Sequence, residues 1–456
     1  MKQWTLATLM LISASATAGG TATPAVVGGE LLNLDAEFGG DGALGIQIAE
    51  RDYGAAGFLE NNGDVVLFGY SDDGLPQNGE AIMLRLAPDG TEDTMTRFEG
   101  QAFGCSVPRR FLTAMRLSGG DYLAGGYIQS TCGGIPRFFN ALQIEQSGIR
   151  RAEFEQVEFN KQLAYIFGLA EQPDGKVIGV GLISGTGFDS TTYDFGVARF
   201  LQDGTLDDTF GSGGTFTYDL AGDLDYGRQA VVTQEGQILV TGFGTNAQGD
   251  TDVLVLALTS DGALDPSFGT GGVFQYDRAG FGDNAPGIAR ATGSGRIFLG
   301  AGTRPNETTQ EVTVIGLTAD GNLDPGFSDD GIATVDFGTT VAGAAAITLG
   351  PAGKLYVTGS GEYGGLGFEF RDGVLAVLLQ DGRMDPNFNN GAGVTFRFGD
   401  QPTDFPQHVS VNDTGTRILV SGYTENVERT SQQFGAARFI GPDPFIFSDS
   451  LEAVPD

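Results

Sequence analysis

The feature that most constrains the fold of this chain is a turn motif that recurs from one end of the sequence to the other. In its best copies an Asp-Gly pair is followed by Leu-Asp-x-x-Phe, and the last four phenylalanines are 58, 59 and 61 residues apart. Counted by the phenylalanine position, the copies lie at Phe38, Phe154, Phe210, Phe268, Phe327 and Phe388, with Thr96 at that position in one further copy. Self-similarity at a fixed period is typical of propellers and solenoids.

A second motif gives the same number of copies from different residues. It is a turn followed by a short apolar strand that ends in glycine, as in the segment from Gly175 to Gly181. Its copies occupy residues 63–69, 120–126, 175–181, 236–242, 295–302, 353–359 and 415–422. Two independent motifs therefore predict seven tandem units.

The segments between the motifs predict short strands. Residues 195–200 and 214–218 alternate with period two and are rich in Val, Phe and Tyr, and Asp-Gly or Gly-Gly pairs bound them. Glycine accounts for 74 of the 456 residues, roughly twice the usual share of ~7%, which indicates many turns. We therefore predict an all-β fold, a seven-bladed β-propeller of four-stranded units of about 58 residues.

The two ends of the repeat array complement each other. Residues 434–440 match the first strand of an internal unit (195–201), whereas the Leu-Asp-x-x-Phe-Gly that should follow lies at residues 34–39. A unit split in this way predicts a ring closed by strands from both termini, which removes exposed sheet edges. An open solenoid is the alternative, but it would not need the split. The repeats would then form one domain over residues 30–441.

The first residues predict export. A single positive charge at Lys2, an apolar stretch at residues 6–12 and the small-residue site Ala16-Thr17-Ala18 are the parts of a signal peptide over residues 1–18. The apolar stretch is shorter than the ~20 residues that span a bilayer, so no membrane insertion is expected. Residues 19–29 and 442–456 would be terminal tails, and the mature protein would be periplasmic, on the cell surface or extracellular.

Charge narrows the class of partner. The formal net charge is −33, from 58 acidic and 25 basic residues. Nucleic acids and anionic lipids are bound by clustered Lys and Arg, so neither is an expected partner. A solvated acidic surface keeps an exported protein soluble and attracts cations.

The two cysteines, Cys105 and Cys132, are expected to form one disulfide. An exported chain with two thiols and no third partner pairs them most simply with each other. A reactive thiol is the weaker alternative because no base lies nearby in sequence. Metal binding is weaker still, since the chain has a single histidine.

Few residues suggest chemistry. A Ser-His-acid triad would have to use the one histidine, His408, whose place in an alternating strand favours a structural role. The repeated turn aspartates are expected to cap backbone N–H groups two or three residues on. Acidic clusters at residues 71–74, 221–225 and 328–331 leave a structural calcium open, although none has the spacing of an EF-hand. No catalytic or cofactor-binding residue is predicted.

The motifs resemble the delta-60 repeat family of tandem bacterial units. The copies that carry the resemblance best are residues 197–214, with their Asp-Gly-x-Leu-Asp-x-x-Phe-Gly, and the Gln172-Pro173-Asp174-Gly175-Lys176 turn. The resemblance covers nearly all of residues 30–440 and implies an exported or surface protein without an assigned activity. The copies around residues 91–98 and 147–151 depart from the pattern.

Three classes of function stay open. A non-enzymatic binding or interaction module would use one face or the channel of the propeller for a glycan, a peptide or an envelope component. A secreted hydrolase or lyase of the carboxylate type would need only two acids and no histidine. A structural cell-surface component would need no pocket. We favour the first because the repeats are alike and no unit carries an evident catalytic set.

Overall fold

The computed structural model describes residues 33–74, 79–102, 105–129, 137–157, 159, 163–184, 192–221, 224–362 and 370–442. The predicted leader (1–18), the N-terminal tail (19–29) and residues 443–456 of the C-terminal tail lie outside the described residues. Cys132 and the side chain of Cys105 also lie outside them, so the disulfide stays a prediction.

The described secondary structure is almost entirely β-strand, as the sequence predicts. The strands of the first half are β1 (Ala43–Ile46), β2 (Arg51–Leu59), β3 (Val65–Asp72), β4 (Glu80–Leu86), β5 (Glu92–Phe98), β6 (Gly100–Ala102), β7 (Cys105–Val107), β8 (Arg109–Arg116), β9 (Tyr122–Gln129), β10 (Arg137–Ile144), β11 (Arg150–Glu153), β12 (Ala164–Glu171), β13 (Val177–Ser184), β14 (Tyr193–Phe200) and β15 (Thr215–Tyr218). Those of the second half are β16 (Tyr226–Val232), β17 (Ile238–Thr245), β18 (Thr251–Leu258), β19 (Val273–Tyr276), β20 (Asn284–Arg290), β21 (Ile297–Thr303), β22 (Glu311–Leu317), β23 (Ile332–Val335), β24 (Val341–Leu349), β25 (Leu355–Glu362), β26 (Arg371–Leu378), β27 (Val394–Phe396), β28 (Thr403–Val411), β29 (Arg417–Glu425) and β30 (Gln432–Ile440). Two single 3₁₀ turns, Pro351–Gly353 and Asn389–Gly391, interrupt them.

Most strands pair with their neighbours in sequence as four-stranded antiparallel sheets. Sheets I to V contain β2–β5, β8–β11, β12–β15, β16–β19 and β20–β23, and β6 and β7 form a two-stranded ribbon. The other strands form one eight-stranded sheet. Its halves are sheet VI (β24–β27) and sheet VII (β28–β30 with β1), and the single parallel pair Arg371 and Thr403 joins them. Within the described residues, no helix has the length and apolarity needed to cross a membrane.

Sheet VII combines strands from both ends of the chain. Strand β1 pairs antiparallel with β30, with Ala43 opposite Ala437 and Ile46 opposite Phe434. Just before β1, Asp35 accepts a hydrogen bond from the guanidinium of Arg438 at 2.9 Å. The N–H of Asp35 also donates to the carbonyl of Arg438 at 2.8 Å.

The turn chemistry of the repeat follows the prediction. Each turn aspartate accepts a hydrogen bond from the backbone N–H two residues on, which satisfies a donor that the turn would otherwise leave unpaired. The donors are Glu37, Thr209, Ser267, Gly326 and Asn387, and the acceptors are Asp35, Asp207, Asp265, Asp324 and Asp385, at 2.8–3.3 Å. The capping role predicted for these aspartates is therefore confirmed.

The repeated phenylalanines fill the spaces between neighbouring sheets. Each of the six is at most 2% exposed. Phe210, for example, packs with Val180 and Val197 of sheet III and with Val240 and Leu256 of sheet IV. Burying a phenylalanine side chain stabilises the fold by about 1.5–3 kcal/mol, so the repeat places one such anchor in most of the contacts between sheets.

Candidate binding site

The first strand of each sheet has a β-bulge at the same place. In a bulge one strand carries an extra residue, which bends the strand and redirects a side chain. The strands are β2, β8, β12, β16, β20, β24 and β28. The extra residues are Ala55, Leu112, Phe167, Arg228, Ala345 and Gln407, and the break in β20 falls between Asn284 and Gly287.

The glycine that ends the second sequence motif makes room for this bent strand. A Cβ atom on Gly181 would lie 1.7 Å from the carbonyl oxygen of Tyr165, and one on Gly242 would lie 1.7 Å from that of Tyr226. No side chain fits at such a distance. The glycine therefore lets the first strand approach closely just before its bulge, at the residue that points toward the candidate site.

Aromatic residues and arginines gather at this end of the sheets. Two positions before the bulge stand Tyr53, Tyr165, Tyr226 and Phe405, and further rings come from the neighbouring strands. We call the whole group the aromatic–arginine cluster: Tyr53, Tyr70, Arg110, Tyr127, Arg137, Tyr165, Phe167, Tyr193, Tyr226, Arg228, Phe243, Phe405 and Tyr423. All of these side chains are half-buried except Tyr127, which is buried.

Ring contacts connect sheets that lie far apart in sequence. The ring centroid of Tyr53 is 5.1 Å from that of Tyr70 in its own sheet and 4.5 Å from that of Tyr423 in sheet VII. Between sheets II and III, Tyr127 and Tyr165 lie 4.7 Å apart. Such aromatic pairs contribute about 0.5–1.5 kcal/mol each beyond the area they bury.

The next sheets along the chain continue these contacts. Tyr193 of sheet III and Tyr226 of sheet IV lie 5.5 Å apart, and Tyr226 stacks on Phe243 at 4.8 Å. Sheets I to IV and VII thus contribute rings to the cluster, whereas sheets V and VI place Asn284 and Gly343 at the corresponding positions. One side of this end is therefore aromatic, and the other side has no ring at these positions.

Three arginines lie over the rings. The guanidinium of Arg110 is 4.7 Å from the ring centroid of Tyr70 and also pairs with Asp72 at 2.9 Å. Arg137 lies 5.0 Å from Tyr127 and 5.2 Å from Tyr165. Arg228 lies 4.8 Å from Phe167. Cations at these distances from ring faces are attracted by the ring quadrupole.

The electrostatics of the cluster favour charged arginines beside neutral phenols. Burial lowers the pKa of Arg228, and the nearby Tyr53, Tyr226 and Tyr423 oppose that shift. Burial also lowers the pKa of Arg137 and raises that of Tyr53. An arginine whose normal pKa is above 12 stays protonated at neutral pH even so. The centre of the cluster therefore carries positive charge in an acidic protein.

A small pocket of about 90 Å³ adjoins the cluster on the side without rings. Arg304, Glu307, Gln310 and Glu362 line it together with Arg371, whose guanidinium lies 5.5 Å from the ring of Phe405. The Nε of Arg371 donates to Glu362 at 2.6 Å. Two carboxylates thus face a single pocket, and Arg371 engages one of them.

A larger groove of about 900 Å³ lies at the opposite end of the sheets. The turns at residues 117–121 and 172–175 form its walls. Several of its polar groups bind one another: Ser118 donates to Glu171 at 2.7 Å through its N–H, and Arg151 pairs with Asp121 at 2.9 Å. The cluster at the other end combines aromatic rings with guanidinium groups, so volume alone does not identify the site.

His408 does not have the surroundings of a catalytic-triad histidine. His408 lies in β28, its ring centroid is 5.2 Å from that of Phe58, and burial lowers its pKa to about 4. Its Nδ1 has no hydrogen-bond partner among the described residues, whereas a triad requires a carboxylate there. A neutral imidazole that hydrogen-bonds to the backbone of Gly57 agrees with a structural role.

In the acidic clusters considered for calcium, carboxylates accept hydrogen bonds or form ion pairs within the protein. Asp72 pairs with Arg110, Asp225 accepts the N–H of Thr245 at 3.0 Å, and Asp330 accepts the N–H of Ile332 at 2.9 Å. Residues 222 and 223 lie outside the described ranges. Across those ranges, no group of three or more His, Cys, Asp or Glu side chains is placed to hold a metal ion.

Sequence reasoning missed a set of buried aspartates beside the cluster. Asp52, Asp225, Asp283 and Asp404 are each fully buried at the start of a first strand. Burial raises the pKa of Asp225 and of Asp283 to about 6, although backbone N–H donors oppose the shift. The signal in the sequence is an aspartate directly before the residue that points into the cluster, as in Asp52-Tyr53-Gly54 and Asp225-Tyr226-Gly227.

Comparison with known families agrees with this architecture. Residues 172–210 and 235–268 match the model of a family described as "Domain of unknown function (DUF5122) beta-propeller". The fold is a β-propeller. The first matched range contains the turn at residues 172–176 and most of residues 197–214, and the second contains the next copies of both motifs. No curated protein matches the sequence.

Several solved structures resemble this chain at low sequence identity. A glucose dehydrogenase is 10% identical, with 68% of this chain and 93% of that chain covered and a TM-score of 0.40. The GH93 α-L-arabinofuranosidase of Fusarium graminearum is 12% identical over 72% and 91%, with a TM-score of 0.45. The Penicillium chrysogenum α-L-arabinanase is 12% identical over 86% and 97%, with a TM-score of 0.41. TM-scores below 0.5 do not extend the likeness to any site.

Proposed function

We propose that this propeller is an exported, non-enzymatic binding module and that its ligand binds on the aromatic–arginine cluster. One observation carries the proposal: rings from five sheets lie together with arginines at one end of the molecule, beside the bulge of each first strand. Ligand sites are typically concave, lined by aromatic side chains and equipped with a few placed polar groups. The cluster has this composition.

The proposal includes a closed ring of seven blades. Support comes from the hydrophobic core, because clusters of buried side chains lie between each sheet and the next, and one of them joins Phe38 and Leu67 to Phe434 of sheet VII. The pairing of β1 with β30 and the contact of Tyr53 with Tyr423 support it as well. A ring brings the first strands of all sheets around one axis, which would place the cluster at the mouth of the channel.

Thermal melting against a ligand panel tests the binding proposal. The panel contains neutral and acidic oligosaccharides, short peptides and solubilised envelope fragments. A ligand that binds only the folded protein stabilises it by about 2.7 kcal/mol at a hundred times its Kd. We expect at least one compound to raise the melting temperature, and we expect Tyr226→Ala to abolish that shift.

The control for this experiment is Ile149→Ala, which alters a residue that is 61% exposed and lies outside the cluster. It should keep the ligand-induced shift of the unaltered protein. If Ile149→Ala and Tyr226→Ala lose the shift equally, or if the unaltered protein shows no shift with any compound, the cluster is not a binding site.

The alternative is a hydrolase of the carboxylate type. The specific observation in its favour is that Glu307 and Glu362 face the same pocket beside the cluster. Release of reducing ends from polysaccharides by the unaltered protein, and its loss in Glu362→Gln, would establish this activity. Saccharide binding without product over long incubation would support the binding module instead.

A further inference from the structure

The ligand class follows from the charge of the cluster, given that the proposed binding function holds. We propose that the site takes an oligosaccharide that carries carboxylate groups, with Arg228 and Arg137 as the residues that receive them. The proposal starts from a local excess of positive charge in a chain whose acidic residues outnumber its basic ones by 58 to 25.

Most arginines of this protein are paired with acids. Arg199 pairs with Asp207 at 2.8 Å, Arg438 pairs with Asp35 at 2.9 Å, and Arg110 of the cluster pairs with Asp72. Among the residues that the structure describes, Arg228 and Arg137 have no carboxylate within ion-pair distance. Their neighbours are rings and, for Arg137, the side-chain carbonyl of Gln129 at 3.2 Å.

A half-buried guanidinium without a counter-ion has a desolvation free energy that no ion pair offsets. Removing a charge from water is unfavourable unless it is paired, and the lowered pKa of both arginines reflects that cost. An incoming carboxylate would accept charge-assisted hydrogen bonds, which are about twice as strong as neutral ones. The bound state therefore supplies the counter-ion that the free protein lacks.

The two arginines are placed to bind one extended ligand. Arg137 lies over Tyr165 and Arg228 lies over Phe167, and these two rings stack on each other with 6.1 Å between their centroids. A chain of sugar rings carries acidic groups at regular intervals along its length. Two cations held on adjacent rings suit such a spaced pair of anions better than a single compact one.

The other groups of the cluster suit a saccharide more than a peptide. Guanidinium groups are donors only, and phenol groups donate as well as accept. A sugar presents ring oxygens, hydroxyls and carboxylates as acceptors, and its C–H faces pack on aromatic rings. A peptide also brings backbone N–H donors, for which the described side chains of the cluster supply few acceptors.

Titration calorimetry with oligogalacturonate and with its fully methyl-esterified form tests the proposal. We expect the unaltered protein to bind the acid form at least about tenfold more tightly, because esterification removes the negative charge and about 1.4 kcal/mol corresponds to a factor of ten. Arg228→Gln and Arg137→Gln should each remove that preference, while binding of the ester changes little. The charge-matched control is Arg383→Gln, which alters an arginine whose side chain is 76% exposed in a surface pair with Asp381.

The outcomes separate this inference from the function on which it rests. Equal affinity for acid and ester, or a peptide from the panel as the only ligand, would overturn the saccharide-carboxylate inference and leave the binding module standing. Absence of binding to every compound would overturn both. Circular dichroism of each variant verifies folding, and if one arginine variant fails to fold the other still decides the outcome.

Discussion

A single missing Cβ atom decides the path of the strand that carries each ring of the cluster. Gly181 faces the carbonyl of Tyr165, and Gly242 faces that of Tyr226, at distances that no other residue permits. The glycines allow the first strand to lie close to the second and then to bulge. The extra residue of that bulge, Phe167 or Arg228, is thereby directed into the cluster.

Gly181→Ala should therefore destabilise the protein although alanine is small. The new methyl group would overlap a backbone oxygen, and such overpacking costs about 1–3 kcal/mol. We expect a melting temperature several degrees lower, measured by calorimetry. Gly293→Ala is the control, because a Cβ atom there would meet nothing within 4 Å. Equal effects of the two substitutions would show that the close approach does not matter.

Buried aspartates beside the cluster predict how stability depends on pH. Burial raises the pKa of Asp225 and Asp283 from 3.8 to about 6 in the folded protein. Between these values the folded state binds protons that the unfolded state has lost, so stability is gained as the pH falls from 6 toward 4 and is lost again as the pH rises through 6.

In stronger acid, stability is expected to change in the opposite direction and to fall as the pH falls. Burial alone would raise the pKa of Asp207, but hydrogen bonds from Thr209 and Lys176 outweigh it and lower the pKa to about 2. The stability from this group is present above its unfolded pKa of about 4 and is lost as the pH falls toward 2. Melting curves from pH 8 to pH 3 should therefore pass through a maximum at about pH 4, the unfolded pKa at which the two effects meet.

The double variant Asp225→Asn/Asp283→Asn tests whether these two aspartates cause the change in stability at the higher pH values. Each aspartate accepts two backbone N–H groups, so the variant should melt lower at every pH. Its melting temperature should nevertheless change less between pH 8 and pH 5 than that of the unaltered protein. An unchanged slope would mean that other groups cause the pH dependence.

Among the structural elements, the turn of sheet II has an ion pair whose charges are exchanged relative to the corresponding pair in sheets III, V and VI. In sheets III, V and VI a basic residue after the turn glycine pairs with the capping aspartate: Lys176 with Asp207, Arg296 with Asp324 and Lys354 with Asp385. In sheet II the corresponding residues are Asp121 and Arg151, which pair at 2.9 Å with their charges exchanged. In both arrangements the residue after the turn glycine forms an ion pair with the residue at the capping position.

Charge exchange tests this coupling. Asp121→Lys alone would place two positive groups side by side and should lower stability. The double variant Asp121→Lys/Arg151→Asp restores the arrangement of sheets III, V and VI and should recover about 0.5–1 kcal/mol, since the pair is partly exposed. Chemical denaturation of the single and double variants measures the coupling energy. Strictly additive effects would contradict the pairing.

The sequence predicts this level of structure well, because strands and turns depend on neighbours in sequence. Period-two alternation and the Asp-Gly pairs predict the four-stranded sheets, and the Leu-Asp-x-x-Phe motif predicts both the capped turn and its buried ring. The departures at residues 91–98 and 147–151 correspond to the long strand β5 and to the ion pair with exchanged charges in sheet II. The sequence does not explain why the second motif ends in glycine, because the reason is a close contact between two strands that only the structure shows.

At the scale of the whole molecule, the repeats are alike in the core and unlike at one end. The core phenylalanines keep their spacing because every contact between sheets needs the same anchor. The cluster combines residues as distant in sequence as Tyr53, Arg228 and Tyr423, each on a separate sheet, and no local pattern links them. The candidate site therefore could not be found from periodicity, although the aspartate before several of its rings was visible in the sequence.

The most direct test of the account is a fluorescence titration that reports where the ligand binds. The only tryptophan is Trp4, so a chain that begins at residue 19 contains none, and one introduced indole is a local reporter. Phe243→Trp places it on Tyr226 in the cluster, and Leu117→Trp places it in the groove at the opposite end. We predict that oligogalacturonate changes the emission of the first variant with saturation and leaves the second unchanged. A saturable change at residue 117 with none at residue 243 would contradict the assignment of the cluster as the binding site.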